Sequence, residues 1–255
     1  MLNPSIIQRC LATADFRTPI LIHVLDSVDS TNRFIKDLPV TDVLEICCAE
    51  EQTQGRGRFG RSWHSPFGEN IYFSMRWRFD CNISQLSGLS LVVSMAVLAA
   101  LKNINNDICV KWPNDLLWHD KKLSGSLIEV IGSSDVVIGI GLNVNSNPND
   151  QTVLDRPCSS LCEIAGKNFD RNSLIAQVII QLDQHLKQFI KHGFFSFIPT
   201  WQKTDHLHGK SITVSQPTGR LSGVANGVNE AGQLILIDDM GVTHYLSAGE
   251  TSLRV

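Results

Sequence analysis

Arginine and glycine alternate in one short segment of the sequence, the glycine–arginine loop (residues 55–63). Its arginines are Arg56, Arg58 and Arg61, and its glycines are Gly55, Gly57 and Gly60. A guanidinium group keeps its charge at any cellular pH and can donate two parallel hydrogen bonds to a carboxylate or phosphate. Glycine permits positive φ angles and lets the backbone approach a ligand closely. The segment predicts a flexible cationic loop for anionic ligands. A solvated loop remains open, as does a patch for single-stranded nucleic acid formed with Phe59, Trp63 and Phe67.

A second cluster of polar residues lies in and just after the sequence KWPND. Pro113 predicts a turn directly after a strand, which places Lys111, Asn114 and Asp115 near one strand end. Lys122 follows in the next turn. Lysine ammonium groups suit polyphosphates, and the Asp115 carboxylate can hold Mg²⁺ directly or through water. Because α/β proteins bind ligands beside such strand ends, the motif indicates a phosphate site. The alternative is a plain polar turn that carries surface lysines.

Two hydroxyls and an amide, those of Ser30, Thr31 and Asn32, stand at a predicted strand-to-helix junction. Groups of this kind can bind a small neutral polar ligand. They serve equally well as a helix cap, a role that Ser30 or Asp29 could fill. The sequence leaves both interpretations open.

The segment GIGLNVN gives a weaker signal. Gly139 and Gly141 carry no side chains, so a flat group can lie against them, and Asn143 can pair with a purine edge. The sequence has no Walker A motif, no G-x-G-x-x-G that opens a helix, and no evident nucleophile elbow, Cys/His or Ser/His/Asp arrangement. Together, these four sets of residues indicate a reaction in which the substrates themselves supply the nucleophile and the electrophile. The protein then offsets their negative charges and aligns them.

Composition narrows the class of protein. The 255 residues carry a formal net charge of −3, which excludes a globally basic nucleic-acid binder, and 43% of them are hydrophobic. Seven cysteines, with Cys47 adjacent to Cys48, favour reduced thiols over a disulfide framework or structural zinc. The N-terminus lacks the layout of a signal peptide, and the longest apolar run, LSLVVSMAVLAALK, is too short to span a bilayer. We expect a cytoplasmic enzyme or binding protein.

Hydrophobic periodicity predicts the elements that position these groups. Strands are expected in TPILIHVLDSV, VLEICCAEEQ, ENIYFSMRWRF, ICVKWPNDLLW, KLSGSLIEVIG and DVVIGIGLNVN. Helices are expected in DSTNRFIKDL, SGLSLVVSMAVLAALKN and RNSLIAQVIIQLDQHLKQFIKHG, the last ending near Gly193. After Trp201, short strands separated by QPTG, NEAG and DDMG indicate a small β-barrel of about five strands. The pattern predicts an α/β body to about residue 207, followed by an all-β tail.

Two stretches carry further expectations. In ENIYFSMRWRF apolar and polar residues alternate with period two, which predicts a half-buried strand. One face holds Ile71, Phe73, Met75 and Trp77, and the other holds Tyr72, Ser74 and Arg76. The stretch SNPNDQTVLDRPCSS, residues 146–160, has no periodicity, which at this length predicts a functional or mobile segment.

In order and spacing, several motifs resemble those of the biotin protein ligases (biotin–[acetyl-CoA-carboxylase] ligases). These motifs are STN, GRGRFGRSWHSPFGENIYFSM, KWPNDLLW, KLSGSLIE, VIGIGLNVN and GETSLR, and the resemblance runs from about Ile20 to Val255. It implies an α+β fold with a central mixed β-sheet and flanking helices, as in class II synthetase-like biotin/lipoate ligase catalytic domains. It also implies a small C-terminal SH3-like β-barrel. We expect the catalytic domain in residues 1–207 and the SH3-like domain in residues 208–255.

The resemblance also implies a reaction. Enzymes of this family activate biotin with MgATP as biotinoyl-5′-AMP and release pyrophosphate. They then pass biotin to the acceptor lysine of the biotin carboxyl carrier protein of acetyl-CoA carboxylase. Residues 146–160 correspond to the family's adenylate-covering loop. We expect the glycine–arginine loop to close over the adenylate as a lid, because a mixed anhydride must be kept from water.

Matched motif by motif, the family's functional residues fall on definite positions of this sequence. Those expected to contact biotin are Ser30, Thr31, Asn32, Gln52, Arg56, Gly57, Arg58, Lys122 and Gly125. Those expected to contact ATP or the adenylate are Arg58, Arg61, Trp63, Lys111, Asn114, Asp115, Asn143 and Arg254. The groups expected to be catalytic are Arg56, Arg58, Lys111 and Lys122. The Mg²⁺ ion is expected at Asp115.

Two departures from the family pattern modify these expectations. Only about twenty residues precede the first strand, too few for the winged-helix DNA-binding domain of some family members. We therefore expect a ligase without repressor activity and without a specific DNA partner. In addition, Phe59 stands where a further arginine is frequent, which weakens the local charge but leaves Arg56 and Arg58 in place. Activity is expected to survive this change.

Three other functions remain as alternatives. A lipoate or octanoate ligase has a similar fold, but the glycine–arginine loop and the KWPND motif favour biotin. A nucleic-acid-binding module is disfavoured by the negative net charge. A biotin sensor without catalysis is disfavoured because both lysines suited to ATP, Lys111 and Lys122, are present. No membrane partner is expected, and an edge strand of the central sheet could support a homodimer.

Overall fold

A computed structural model describes residues 1–79, 86–132, 134–147, 157–216 and 219–253 of the chain. The helices are α1 (Pro4–Thr13), α2 (Thr31–Asp37), α3 (Leu89–Ala100), α4 (Leu161–Ala165), α5 (Arg171–His192) and α6 (Ile198–Thr204). The first seven strands are β1 (Ile20–Val28), β2 (Leu44–Gln52), β3 (Ile71–Arg78), β4 (Cys109–Lys111), β5 (Asp115–Trp118), β6 (Lys121–Ile131) and β7 (Asp135–Leu142). The last five are β8 (Ser211–Gln216), β9 (Gly219–Val228), β10 (Leu234–Asp238), β11 (Thr243–Leu246) and β12 (Glu250–Leu253).

The first seven strands form one mixed sheet in the order β1-β2-β3-β7-β6-β5-β4. Strands β1 and β2 are parallel, and every other neighbouring pair in this sheet is antiparallel. Helices α1, α3 and α5 bury the main hydrophobic core against one face, while Ile35 of α2 packs with Cys47 and Val137 on the opposite face. The predicted α+β architecture with a central mixed sheet is confirmed. The stretch ICVKWPNDLLW, expected as one strand-like run, forms the two strands of a hairpin, β4 and β5.

Strand β3 departs from the sequence prediction. Its polar face was expected to meet solvent, yet Tyr72 is 1%, Ser74 0% and Arg76 7% exposed. The reason is position, because β3 lies between β2 and β7 and α2 covers its polar face. A buried guanidinium needs partners. Arg76 finds them in the Glu45 carboxylate at 2.9 Å and in backbone carbonyls around the end of α2.

The last five strands form a separate antiparallel sheet in the order β11-β10-β9-β8-β12. The expected number of strands is therefore confirmed, whereas the proposed domain boundary at residue 207 stays a prediction. This second sheet is attached to the β4–β5 hairpin through Trp112. The indole of Trp112 donates to the Gly232 carbonyl at 3.2 Å, and its own carbonyl accepts from the Thr251 hydroxyl at 3.2 Å.

Helix α1 was not predicted from the sequence. Asn3 caps it by accepting hydrogen bonds from the backbone amides of Ser5 and Ile6. The helix buries its own residues Ile7 and Leu11 in the core. Helix α5 ends where expected, because Gly193 with φ 66° follows its last residue. No helix in the described ranges is long and apolar enough to cross a membrane. The cysteines in these ranges are all free thiols.

Candidate active site

A pocket of about 750 Å³ lies where the central sheet meets the second sheet. The start of α2, the end of β2, the glycine–arginine loop, the β4–β5 turn and strands β6, β7 and β12 all contribute to its wall. With one exception, every residue expected to bind biotin, ATP or metal lines this pocket. The exception, Arg254, lies outside the described residues. Residues far apart in the sequence are thus brought to one place.

The glycine–arginine loop folds as a hairpin. The Gly57 amide donates to the Arg61 carbonyl at 2.7 Å, and the Trp63 amide donates to the Gly55 carbonyl at 2.9 Å. Among its three glycines only Gly60 uses the positive φ that glycine permits, with φ 74°. Gly55 serves close approach instead, since a Cβ there would overlap the Trp63 carbonyl.

Phe59 takes the other left-handed position of the loop, with φ 56°. A bulky non-glycine residue rarely adopts this conformation. The guanidinium carbon of Arg58 lies 5.0 Å from the centre of the Phe59 ring, a cation–π contact. At the position where the family often has another arginine, this chain therefore has the Phe59 ring, which packs against the Arg58 guanidinium.

Lysines and a carboxylate meet at the end of the β4–β5 hairpin. Lys111 ends β4 and faces Asp115, the first residue of β5, across the hairpin. Lys122 lies inside β6 rather than in the preceding turn as expected, and its Nζ is 2.7 Å from Asp115 Oδ1. A Cβ on Gly125 would come within 2.9 Å of the Lys122 Nζ, so this glycine leaves room for the pair.

Burial sets the electrostatics of these cations. Desolvation lowers the pKa of Lys111, and the Lys122 charge lowers it further, while Asp115 acts in the opposite direction. Desolvation also lowers the pKa of Arg58, against the influence of Asp115 and Glu250. Arg58 Nη1 donates to the Asn114 Oδ1 atom at 3.4 Å. The pocket thus holds positive charge in a partly dry environment, where its attraction for an anion is stronger than in water.

A flat group does lie against Gly141, and that group is the Trp63 indole. A Cβ on Gly141 would overlap the ring, and the Lys122 ammonium lies 5.4 Å from the ring centre. Two residues earlier in β7, a Cβ on Gly139 would overlap the Asn32 amide. Both glycines of GIGLNVN therefore make room for side chains of the pocket itself.

Five side chains form a connected group that we name the polar floor: Thr31, Asn32, Gln52, Ser74 and Glu129. The Gln52 Oε1 accepts from the Thr31 amide at 3.0 Å, and Ser74 Oγ lies 2.8 Å from Thr31 Oγ1 and 2.6 Å from Asn32 Oδ1. Asn32 Nδ2 donates to Glu129 Oε2 at 2.7 Å.

The role of Ser30 as a helix cap can be decided from the structure. Ser30 is the residue at the N-cap position of α2, but its side chain makes no capping hydrogen bond. The Asp29 carboxylate accepts from the Ser30 amide at 2.6 Å instead. Ser30 lines the pocket, and its side chain does not cap the helix.

Glu129 and Ser74 were missed in the sequence. Glu129 also accepts from Lys36 Nζ at 2.8 Å and from Arg56 Nη2 at 3.2 Å. Burial alone would raise the pKa of Glu129, but hydrogen bonds from Lys36 and Asn32 and the nearby Arg56 lower it below its ordinary value. The available signal was a single charged residue inside the apolar strand SLIEVI.

Asn143 holds the chain beside Lys122. Its Nδ2 donates to the Ser159 carbonyl at 3.0 Å, and the amide of Lys122 donates to the Pro157 carbonyl at 2.9 Å. With its amide hydrogens directed to backbone, Asn143 retains Oδ1 as an acceptor. Most of the expected adenylate-covering loop, residues 148–156, lies outside the described residues.

A Cys/His contact that the sequence did not reveal borders the pocket. Cys109 Sγ lies 3.3 Å from His206 Nδ1, and His206 Nε2 lies 3.0 Å from Asp120 Oδ1. Burial raises the pKa of Cys109 to about 11 and lowers that of His206. The thiol therefore stays protonated at neutral pH, which fits a packed side chain rather than a nucleophile.

The donor set suits a metal that arrives with its substrate. In the described part of the chain no three His, Cys, Asp or Glu side chains come together as a ready metal site. Asp115 supplies one carboxylate, and its Oδ1 already faces Lys122. Mg²⁺ commonly keeps several waters and binds through one or two carboxylates plus substrate phosphates, an arrangement that one carboxylate can serve.

Comparison with known proteins agrees with this geometry. Residues 24–145 match the model of the Biotin/lipoate A/B protein ligase family. The chain is 36% identical over 239 residues to the bifunctional ligase/repressor BirA of Escherichia coli, covering 91% of this chain and 74% of that protein. It is 30% identical to the biotin–[acetyl-CoA-carboxylase] ligase of Mycobacterium tuberculosis over 80% of this chain and 77% of the relative.

A solved structure has a similar fold. The biotin protein ligase of Aquifex aeolicus in complex with biotin and ATP superimposes with a TM-score of 0.79 at 31% identity. The match covers 91% of this chain and 98% of that one. The chain therefore belongs to the biotin/lipoate A/B protein ligase family and, within that family, to the biotin protein ligases.

Proposed function

We propose that this protein activates biotin with MgATP to biotinoyl-5′-AMP, with release of pyrophosphate, and transfers biotin to the acceptor lysine of a biotin carboxyl carrier protein. One observation carries the proposal: three members of the polar floor, Thr31, Asn32 and Gln52, line the same pocket as a cluster of cations. Such a pocket fits a ligand with a neutral, hydrogen-bonding ring at one end and a carboxylate at the other. Biotin has this form.

The pairing of β6 with β7 supports the relative placement of the two groups. Leu127 pairs with Gly139, which underlies Asn32, and Gly125 pairs with Gly141, which underlies Trp63. Two residues of strand correspond to about 7 Å. A ring held against the Asn32 side chain would therefore direct a short aliphatic chain and its carboxylate towards Lys122.

In the first half-reaction a biotin carboxylate oxygen attacks the α-phosphorus of ATP. The bond from that phosphorus to the bridging oxygen of the β-phosphate breaks, and pyrophosphate leaves with the electron pair. Two anions must approach each other, so Lys111, Lys122 and Arg58 are proposed to offset their repulsion. Arg56, whose guanidinium lies against Glu129, is proposed to act at the ring end of biotin.

Mg²⁺ bound to the ATP phosphates near Asp115 would supply further charge neutralisation for the departing pyrophosphate. Trp63 and Asn143 are proposed to receive the nucleotide. The indole borders the cationic cluster, and Asn143 Oδ1, which accepts no hydrogen bond from the described residues, can accept from an adenine amino group. Arg61, which pairs with Glu250 of β12, is proposed to tie the loop to the second sheet when the site is closed.

In the second half-reaction the amine of the acceptor lysine attacks the carbonyl carbon of the mixed anhydride. The bond from that carbon to the phosphate oxygen breaks, AMP leaves, the amine nitrogen releases one proton to solvent, and an amide remains. Because water competes with the amine, the adenylate must be sheltered until the carrier arrives. The glycine–arginine loop, which forms one side of the pocket, is proposed as that shelter.

The polar floor also separates biotin from the other acids that related enzymes use. The ring of lipoate is a disulfide and octanoate has no ring, so neither offers hydrogen-bonding groups to the Thr31 hydroxyl and the Gln52 amide that line the pocket. Leaving such groups unpaired costs about 1 to 3 kcal/mol each. The floor therefore favours a urea-containing ring by a wide margin.

The test is direct modification of a carrier. The protein is incubated with MgATP and a biotin carboxyl carrier domain, together with biotin, lipoate or octanoate, and the intact mass of the carrier is measured. We expect the mass of one amide-linked biotin, and none when the acceptor lysine is replaced by arginine. Modification by lipoate or octanoate but not by biotin would refute the proposal.

A further inference from the structure

The two sides of the β4–β5 hairpin tip are held by different parts of the protein. Asn114 is fixed to β6, because its Nδ2 donates to the Ser126 carbonyl at 2.6 Å and its own carbonyl accepts from the Ser126 amide at 3.1 Å. Lys111, on the other side, is the last residue of β4, a strand of three residues at the edge of the central sheet. The end of an edge strand opens readily unless contacts outside the sheet hold it.

Trp112, the residue after Lys111, makes contacts of this kind with the second sheet. Its carbonyl accepts from the Thr251 hydroxyl of β12 at 3.2 Å, and its indole Nε1 donates to the Gly232 carbonyl at 3.2 Å. Trp112 is only 2% exposed, so water does not replace the Gly232 carbonyl as the partner of the indole. The backbone and the side chain of one residue are thus both attached to the second sheet.

The Gly232 anchor is itself fixed in place. Gly232 has φ 71°, and a Cβ on it would lie 2.6 Å from the Gly88 Cα atom, at the start of α3. Next to it, the Ala231 carbonyl accepts from the Ser87 hydroxyl at 2.5 Å. The turn between β9 and β10 is therefore seated on the body that carries the central sheet, and it offers Trp112 a carbonyl at a fixed position.

We propose that Trp112 and Thr251 are positioning residues for the phosphate end of the ATP site: through them the second sheet holds Lys111 where it meets a phosphate. The inference rests on the proposed function and deepens it, because it gives the second sheet a part in nucleotide binding that requires no contact between Trp112 or Thr251 and ATP. Biotin binding should be independent of this attachment, because the polar floor is built on α2, β2, β3 and β6.

Thr251→Val tests the inference, because valine resembles threonine in shape and cannot donate to the Trp112 carbonyl. We expect the KM for ATP in biotin-dependent pyrophosphate exchange to rise about three- to ten-fold. The Kd for biotin, measured by isothermal titration calorimetry, should stay within about two-fold of the wild type. Thr251→Ser keeps the hydroxyl and should restore the wild-type KM. Trp112→Phe removes the indole N–H and should raise the KM in the same direction.

Thr213→Val is the matched control. Thr213 lies in β8 of the same sheet and outside the pocket wall, and its Oγ1 is 2.8 Å from the Ser222 hydroxyl. The substitution therefore removes one side-chain hydrogen bond from the second sheet at a distance from the hairpin, and it should leave the KM for ATP unchanged. An equal rise in KM for Thr213→Val, or no rise for Thr251→Val, would overturn the inference.

A double-mutant cycle with Lys111→Ala separates positioning from direct contact, because Thr251 also lines the pocket. If Thr251 acts through Lys111, Thr251→Val should change the KM for ATP by less than about two-fold once the lysine is absent. The same factor in both backgrounds would indicate a direct contact and would contradict the inference. If the wild type shows no biotin-dependent exchange, the proposed function fails. If it exchanges normally and the Thr251 and Trp112 variants keep its KM, only the present inference fails.

Discussion

Replacement of Lys122 by alanine should suppress adenylate formation while the fold survives. The Lys122 ammonium lies 2.7 Å from Asp115 Oδ1 and 5.4 Å from the centre of the Trp63 ring, with 17% of the side chain exposed. It is therefore the cation that joins the carboxylate of the β4–β5 hairpin to the indole over Gly141. In the proposed reaction it faces the biotin carboxylate and the α-phosphate together.

The size of the effect follows from the local environment. At an effective dielectric constant of about 20, unit charges about 4 Å apart interact by about 4 kcal/mol. Removal of a single preorganised group that stabilises developing negative charge lowers kcat by about 10² to 10³ in other enzymes. We expect a loss of this order in ATP–pyrophosphate exchange. Because the attraction acts on anions only, the affinity for a neutral biotin amide should change much less.

Stability should fall by a smaller amount. Breaking a fully buried pair costs about 3 to 5 kcal/mol, because one charge is left without a partner. Here Asp115 retains Lys111 opposite it in the hairpin, and its side chain is 12% exposed. We expect a loss of about 1 to 2 kcal/mol, which corresponds to a melting temperature lower by about 2 to 8 °C.

The neighbouring lysine provides the control. Lys121 precedes Lys122 in β6, pairs with Glu163 and is not part of the pocket wall. Lys121→Ala removes the same charge from the chain, so long-range electrostatic effects are matched. Biotin-dependent pyrophosphate exchange is measured for both variants over a range of ATP concentrations. Exchange by Lys122→Ala within three-fold of Lys121→Ala would falsify the assigned role.

Three further substitutions test other parts of the pocket. Arg58→Ala should shorten the lifetime of enzyme-bound adenylate, measured after rapid gel filtration, with less effect on exchange; an unchanged lifetime would count against the shelter model. Gly141→Ala should displace the Trp63 ring, which a Cβ would overlap, and raise the KM for ATP about ten-fold while biotin affinity is preserved. Burial lowers the pKa of Lys111, so its charge is lost as pH rises through that pKa. The KM for ATP should therefore increase between neutral pH and about pH 10, and this increase should vanish in Lys111→Arg, since arginine stays charged.

The residues that carry charge could be found from the sequence, because their chemistry is local. The residue types of Arg58, Lys111 and Lys122 indicate an anion-binding site. The turn predicted at Pro113 explains why Lys111 and Lys122 lie close together. Alternation identified β3, and the terminal glycine identified the end of α5. Such patterns report the conformational preference of a short segment. In β3 and at the end of α5 this preference agreed with the fold.

The partners of those residues could not be found in the same way. Arg56, in the loop between β2 and β3, and Glu129 of β6 are 73 positions apart in the sequence, and only the tertiary fold brings them together. Helix α2 covers one face of β3 and the core helices cover the other, which turns Ser74 from an expected surface residue into the centre of the polar floor. Period-two alternation distinguishes the two faces of a strand, but it does not state what covers each face.

Phe59 illustrates how far a local rule can be overridden. A left-handed φ of 56° disfavours phenylalanine, and the sequence pattern placed the need for such angles on the glycines instead. The ring compensates by stacking on Arg58, whose guanidinium is partly desolvated and faces Asn114. A further arginine at this position would add charge but would also repel Arg58 and leave it free to move. The chain therefore exchanges one unit of positive charge for a more closely held Arg58, which is the arginine whose placement the proposed shelter of the adenylate requires.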